Sequence, residues 1–197
     1  MFTKTQAKIM EVFVSQITER FSIKQISEII NKPYPLVHRS VKELFDKQFL
    51  SKDKQNFISL NYKLNHSDLA YIESLRSQDF LKKEKTIALF VKDTIDQLGN
   101  DFFVLLIFGS AVIKENPRDI DILLIVPNLV EIPDKEKLLL NLASNFSLEF
   151  DINVISIESV YEMLLKRENL NIMNETLNKH IIVFGAESYY ELLKNAR

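Results

Sequence analysis

The chain has 197 residues, 46% of them hydrophobic, enough to bury one large core or two small ones. It has no cysteine, which excludes disulfides, thiolate nucleophiles and thiolate-held zinc, and three glycines, too few for a glycine-rich nucleotide fingerprint. The formal charge of −2 conceals a division: residues 1–65 carry 11 basic and 6 acidic side chains while residues 66–197 carry 14 and 21, which predicts two modules, the first suited to an anionic partner or simply clothed in a solvated surface.

The opening MFTKTQAKIM lacks the apolar centre of a secretory signal, and no later run reaches the roughly 20 apolar residues that span a bilayer; both point to a cytoplasmic chain with no membrane partner. From Thr5 to Ile17, apolar Ile9, Val12, Phe13 and Ile17 recur at three- and four-residue steps and predict a helix with one buried face. A second helix is expected over Ile23–Ile30, capped by Ser22, with Ile23, Ile26, Ile29 and Ile30 inward, until Asn31-Lys32-Pro33 breaks it. A third should start near Pro35 and run to Lys47 on Leu36, Val37, Val41, Leu44 and Phe45. Its other face carries His38, Arg39 and Lys42, with Tyr34 just ahead. Two β-prone runs around Lys52-Asp53-Lys54-Gln55-Asn56 then read as a hairpin.

Three helices followed by a hairpin resemble a winged helix-turn-helix over roughly residues 3–63. The resemblance implies that the third helix enters the major groove of duplex DNA, with Tyr34, His38, Arg39 and Lys42 facing bases or phosphates and the wing lysines Lys52 and Lys54 near the backbone. Docking of a protein, or of a second copy as a homodimer, through the same polar face is the alternative. Residues 67–99 read as helical, best over Thr86–Leu98 with Ile87, Phe90, Val91, Ile95 and Leu98 on one side, so a helical connection is expected rather than a flexible tether. The run Lys82-Lys83-Glu84-Lys85 reads as a solvated helix face.

Phe102–Phe108 is continuously apolar, as in a central strand covered on both faces. Gly109-Ser110 ends it, and AVIKEN is expected to start a short helix with unpaired backbone N–H groups where a phosphate could approach. Asp119-Ile120-Asp121 opens the next strand, through Val126. Side chains two apart on a strand point the same way with Cα atoms about 6.5–7 Å apart, so both carboxylates share a side opposite Ile120. In Glu149-Phe150-Asp151-Ile152-Asn153-Val154 polar and apolar residues alternate, which puts Asp151 on the polar face of a strand able to pair with 119–126. Such carboxylates suit Mg²⁺ or Mn²⁺ together with substrate phosphates, and the third could also take the nucleophile's proton.

Gly-Ser, then Asp-x-Asp at the head of an apolar strand, then a lone Asp on a later strand resemble the minimal nucleotidyltransferases of the DNA polymerase β-like superfamily, over roughly residues 85–195. The resemblance implies that Gly109 and Ser110 hold nucleotide phosphate, that Asp119, Asp121 and Asp151 are the catalytic carboxylates and ligands of Mg²⁺, and that a nucleoside triphosphate, ATP first, donates to an acceptor hydroxyl, a protein acceptor among the candidates. Val112-Ile113-Lys114 stands where many minimal members have Ala-Arg-Gly, and Arg118 where serine usually precedes Asp-x-Asp. The expected organisation is α+β: a winged helix-turn-helix over 1–65, connecting helices over 66–99, and a nucleotidyltransferase domain with a small mixed sheet over 100–197. The competing reading is a DNA-binding regulator whose second domain is catalytically inactive and senses nucleotide or dimerises. His38, His66 and His180 are expected on the polar surface, and Tyr189 and Tyr190 in the packing of a terminal helix.

Overall fold

A computed structural model describes residues 1–114, 117–166 and 171–196. Thr3 caps α1 (Lys4–Ser15) and Ser22 caps α2 (Ile23–Ile29), each in a reciprocal box with a glutamine three residues on. Pro35 sits in the first turn of α3 (Tyr34–Asp46), where its missing N–H costs nothing. Two inward assignments fail. Ile26 is the buried centre of α2, and Ile23 and Ile30 flank it on one side, leaving Ile29 across the strip and 53% exposed. On α3, Val37, Val41 and Leu44 are buried while Leu36, at the margin of that stripe, is exposed.

β1 (Leu50–Lys52) and β2 (Ile58–Leu60) form an antiparallel hairpin. The Asp53 carboxylate closes its turn by accepting from the Gln55 and Phe57 N–H groups, and Asn56 takes the left-handed conformation. Phe21 adds a further bridge to Ile58, with hydrogen bonds in both directions.

α4 (His66–Lys83) and α5 (Lys85–Leu98) occupy the predicted helical stretch and part at Glu84. They lead to a four-stranded mixed sheet in the order β5-β4-β3-β6, formed by β3 (Val104–Phe108), β4 (Asp119–Val126), β5 (Glu149–Ser156) and β6 (His180–Phe184). β3 runs antiparallel to both β4 and β6, whereas β4 and β5 are parallel and joined through α6 (Ile132–Ala143). α7 (Ile157–Leu165), α8 (Ile172–Thr176) and α9 (Ala186–Asn195) complete the chain. The described elements are thus α+β, with the sheet as the smaller part. Among the described residues no helix is long and apolar enough to cross a membrane.

Both sheet faces are covered, which accounts for the unbroken apolar character of β3, every residue of which is buried. One face, with Leu105, Ile107, Ile120, Ile122 and Leu124, meets Ile87, Phe90 and Val91 of α5 and Leu139 of α6. The opposite face, with Val104, Leu106, Leu123 and Ile125, joins a cluster that continues through Leu69 and Ile72 of α4 to Ile9 and Phe13 of α1. Tyr189 and Tyr190 of α9 lie within that second cluster, fully buried, as the terminal-helix reading expected.

Candidate functional site

The alternation along β4 decides where its aspartates point. Ile120 and Ile122 belong to the α5–α6 side, so Asp119 and Asp121 lie on the other, at the N-terminal end of the strand. Asp121 pairs in register with Asp151 on β5 and with Phe108 on β3, and Phe108 pairs with His180 on β6. His180, Phe108, Asp121 and Asp151 therefore form one row across four strands. Asp119 and Glu149 form the next register pair on the same face. Asp119 and Asp121 are half-buried and Asp151 is exposed.

Gly109 follows Phe108 directly and sits at φ +69°, a conformation glycine adopts without strain. A Cβ there would collide with the Asp121 carboxylate, so the turn can lie against that group only because the residue is glycine. The next residue contributes its backbone: the Ser110 N–H donates to Asp121. The helix expected over AVIKEN is instead a single 3₁₀ turn, Gly109–Val112, since β4 already starts at Asp119. Glu115 and Asn116 of that stretch lie outside the described residues.

Burial raises the Asp121 carboxyl above its ordinary value, and the negative charges of Asp119, Asp151 and Glu175 push it further, against the Ser110 hydrogen bond. Glu175, on α8, was not singled out by the sequence, where nothing in NIMNETLN distinguishes it; only the fold brings α8 to this end of the sheet. Among the described residues no lysine or arginine forms an ion pair with Asp119, Asp121 or Asp151. Nor, among the same residues, do three or more acidic or histidine side chains converge closely enough to chelate an ion by themselves. Asp121 and Asp151 share a face and a level, with Asp119 two residues along on the same face, and the three do not close on one point.

His180 does not have the surface place expected of it. It is fully buried because β6 is covered by α4, where Nε2 lies 3.2 Å from Oε1 of the equally buried Glu73. Tyr190 donates to the same oxygen at 2.8 Å, and Arg76 pairs with the other oxygen while also donating to the His180 carbonyl at 2.7 Å. Burial would raise the Glu73 carboxyl, but Arg76 first, then His180 and the hydrogen bonds from His180 and Tyr190, hold it below its ordinary value. A glutamate inside an amphipathic helix carries no sign in the sequence that it will be buried. His38 is exposed, and His66 is half-buried with its ring against the Tyr62 carbonyl.

In the N-terminal region Tyr34, His38, Arg39, Lys42, Lys52 and Lys54 are all exposed. Tyr34, His38, Lys42 and Lys52, with Lys24, surround a cleft of about 550 Å³ between α2, α3 and the hairpin, floored by Val41, Phe45 and Ile58. Arg39 and Lys54 are not part of its lining. Compared with family models, with curated proteins and with solved structures, the chain gives no match.

Proposed function

We propose that the chain is a nucleotidyltransferase of the minimal polymerase β-like kind, joined to a winged helix that reads DNA or a partner. The observation that carries this reading is the packing of the Gly109–Ser110 turn on Asp121, in a row with Asp151 and beside Asp119. Like charges brought together without a basic partner oppose folding, and a cationic ligand would compensate them. All the donors are hard oxygens, the class that Mg²⁺ or Mn²⁺ takes, and a metal that keeps waters and substrate phosphates does not need a complete protein cage. Asp119, Asp121 and Asp151 would hold it. When bound, the metal would neutralise charge on the attacking and leaving oxygens.

In the transfer, an acceptor hydroxyl oxygen forms a bond to the α-phosphorus of a nucleoside triphosphate as the bond to pyrophosphate breaks. Asp151, the most exposed of the three carboxylates, would receive the hydroxyl proton, and the Gly109–Ser110 turn would seat phosphate. Incubation of the chain with α-labelled triphosphates, Mg²⁺ and cell extract should label an acceptor, ATP being the first donor to try. The label should fall by on the order of 10²–10³-fold or more in Asp119→Ala/Asp121→Ala. Asp121→Asn supplies the folding control. A carboxyl whose folded-state pKa is raised weakens the fold as the pH climbs and it ionises, so at pH 7 the asparagine variant should be no less stable than the parent.

The lack of a chelating group among the described residues favours a second reading, a DNA-binding regulator whose sheet domain is inactive. No transfer from any of the four triphosphates would leave that reading. The winged-helix part is supported by three helices, a hairpin and the Phe21–Ile58 bridge beside it, with the exposed basic face of α3 adjoining the wing. Duplex DNA should bind at low salt, and Arg39→Ala/Lys42→Ala should reduce the slope of log K against log salt by about 2. Absence of binding at low salt would instead assign the face to protein.

A further inference from the structure

Four consecutive residues from the end of α8 to the start of β6, Leu177 to His180, are tied to three different parts of the molecule. The Leu177 carbonyl accepts from the Ile17 N–H at 3.0 Å. The Asn178 side chain makes two bonds with Thr18, accepting from its N–H at 3.0 Å and donating to its hydroxyl at 2.6 Å. The Lys179 carbonyl accepts from the Gly109 N–H at 3.3 Å, and the His180 carbonyl accepts from Arg76 at 2.7 Å. The strap therefore touches the turn that lies on Asp121, and besides the Phe108–His180 strand pairing it is held from inside by one guanidinium anchored on buried Glu73.

We propose that Arg76 is a positioning residue for the transfer reaction: by holding the His180 carbonyl it sets the strap, and through Lys179 it sets the Gly109–Ser110 turn against Asp121. A planar fork is required, because one nitrogen pairs with Glu73 while the other serves the strap. A lysine would keep the charge beside Glu73 but could not present two divergent donors in fixed geometry. The inference rests on the transferase reading for its kinetic consequence and on hydrogen bonds alone for its structural one.

Arg76→Lys tests both. Amide exchange of a peptide covering 104–112 should quicken by about 5-fold, the loss of roughly one hydrogen bond, with peptides of α2 and α3 unchanged. KM for the triphosphate should rise by a similar factor with kcat less affected, whereas partial unfolding would lower apparent kcat and leave KM alone. If the parent chain transfers nothing, the transferase reading fails and the exchange measurement still decides the positioning. Should Arg76→Lys not fold, Asn178→Ala, which releases the strap at its exposed end, should quicken exchange over 104–112 in the same direction by about 3-fold or more. Unchanged exchange over 104–112 in a folded variant, or a KM equal to the parent's in one that transfers, overturns the proposal.

Discussion

Glu73→Ala is expected to cost about 3–5 kcal/mol of stability, a drop in Tm of roughly 6–20 °C for a chain of this length, measured by thermal or urea unfolding. The cause is not the lost carboxylate alone. Arg76 is left nearly buried without its counter-charge, and the Tyr190 hydroxyl and His180 ring lose their shared acceptor. The dependence on pH has a definite sign. A carboxyl held below its ordinary value of 4.5 contributes fully above that value and ceases to contribute as the pH falls through the lower folded-state value. The difference between parent and Glu73→Ala should therefore be largest at neutral pH and shrink in acid. A neutral-pH loss below about 1 kcal/mol would mean that water reaches Arg76 and replaces its partner.

Gly109→Ala should damage function more than folding. The left-handed φ of +69° costs a non-glycine residue roughly 1–3 kcal/mol, and the added methyl meets the Asp121 carboxylate, which must turn aside. Nucleotide transfer should fall by about 10²-fold or more. Gly99→Ala separates the two causes, because Gly99 has a similar φ of +62° and no atom within 4 Å of a Cβ built there. It should carry the backbone strain without loss of transfer. Equal activity in both variants would detach Asp121 from the reaction.

Periodicity made the helices, the buried central strand and the paired β4 and β5 legible, because one-sided or two-sided burial writes itself into apolar spacing. It could not show which flank of a short helix faces solvent, as Ile29 and Leu36 demonstrate, since both lie at the edge of a stripe whose limit is set by the neighbouring helix. The site divided in the same way. Asp119 and Asp121 share a face because strands alternate, and the register that brings Asp151 beside Asp121 follows from pairing two parallel strands whose polar ends coincide. Glu175 and the Glu73–Arg76–His180 cluster depend on contacts between segments about 100 residues apart or on the placing of a short helix, and no local pattern carries that information.

The apolar cluster that passes from Ile9 and Phe13 through Leu69 and Ile72 to the sheet binds the fate of the basic half to that of the acidic half. Heating should give one calorimetric transition rather than two, with matching van't Hoff and measured enthalpies. A transplant of either half onto a foreign protein would uncover the apolar side chains of α4 that the other half buries.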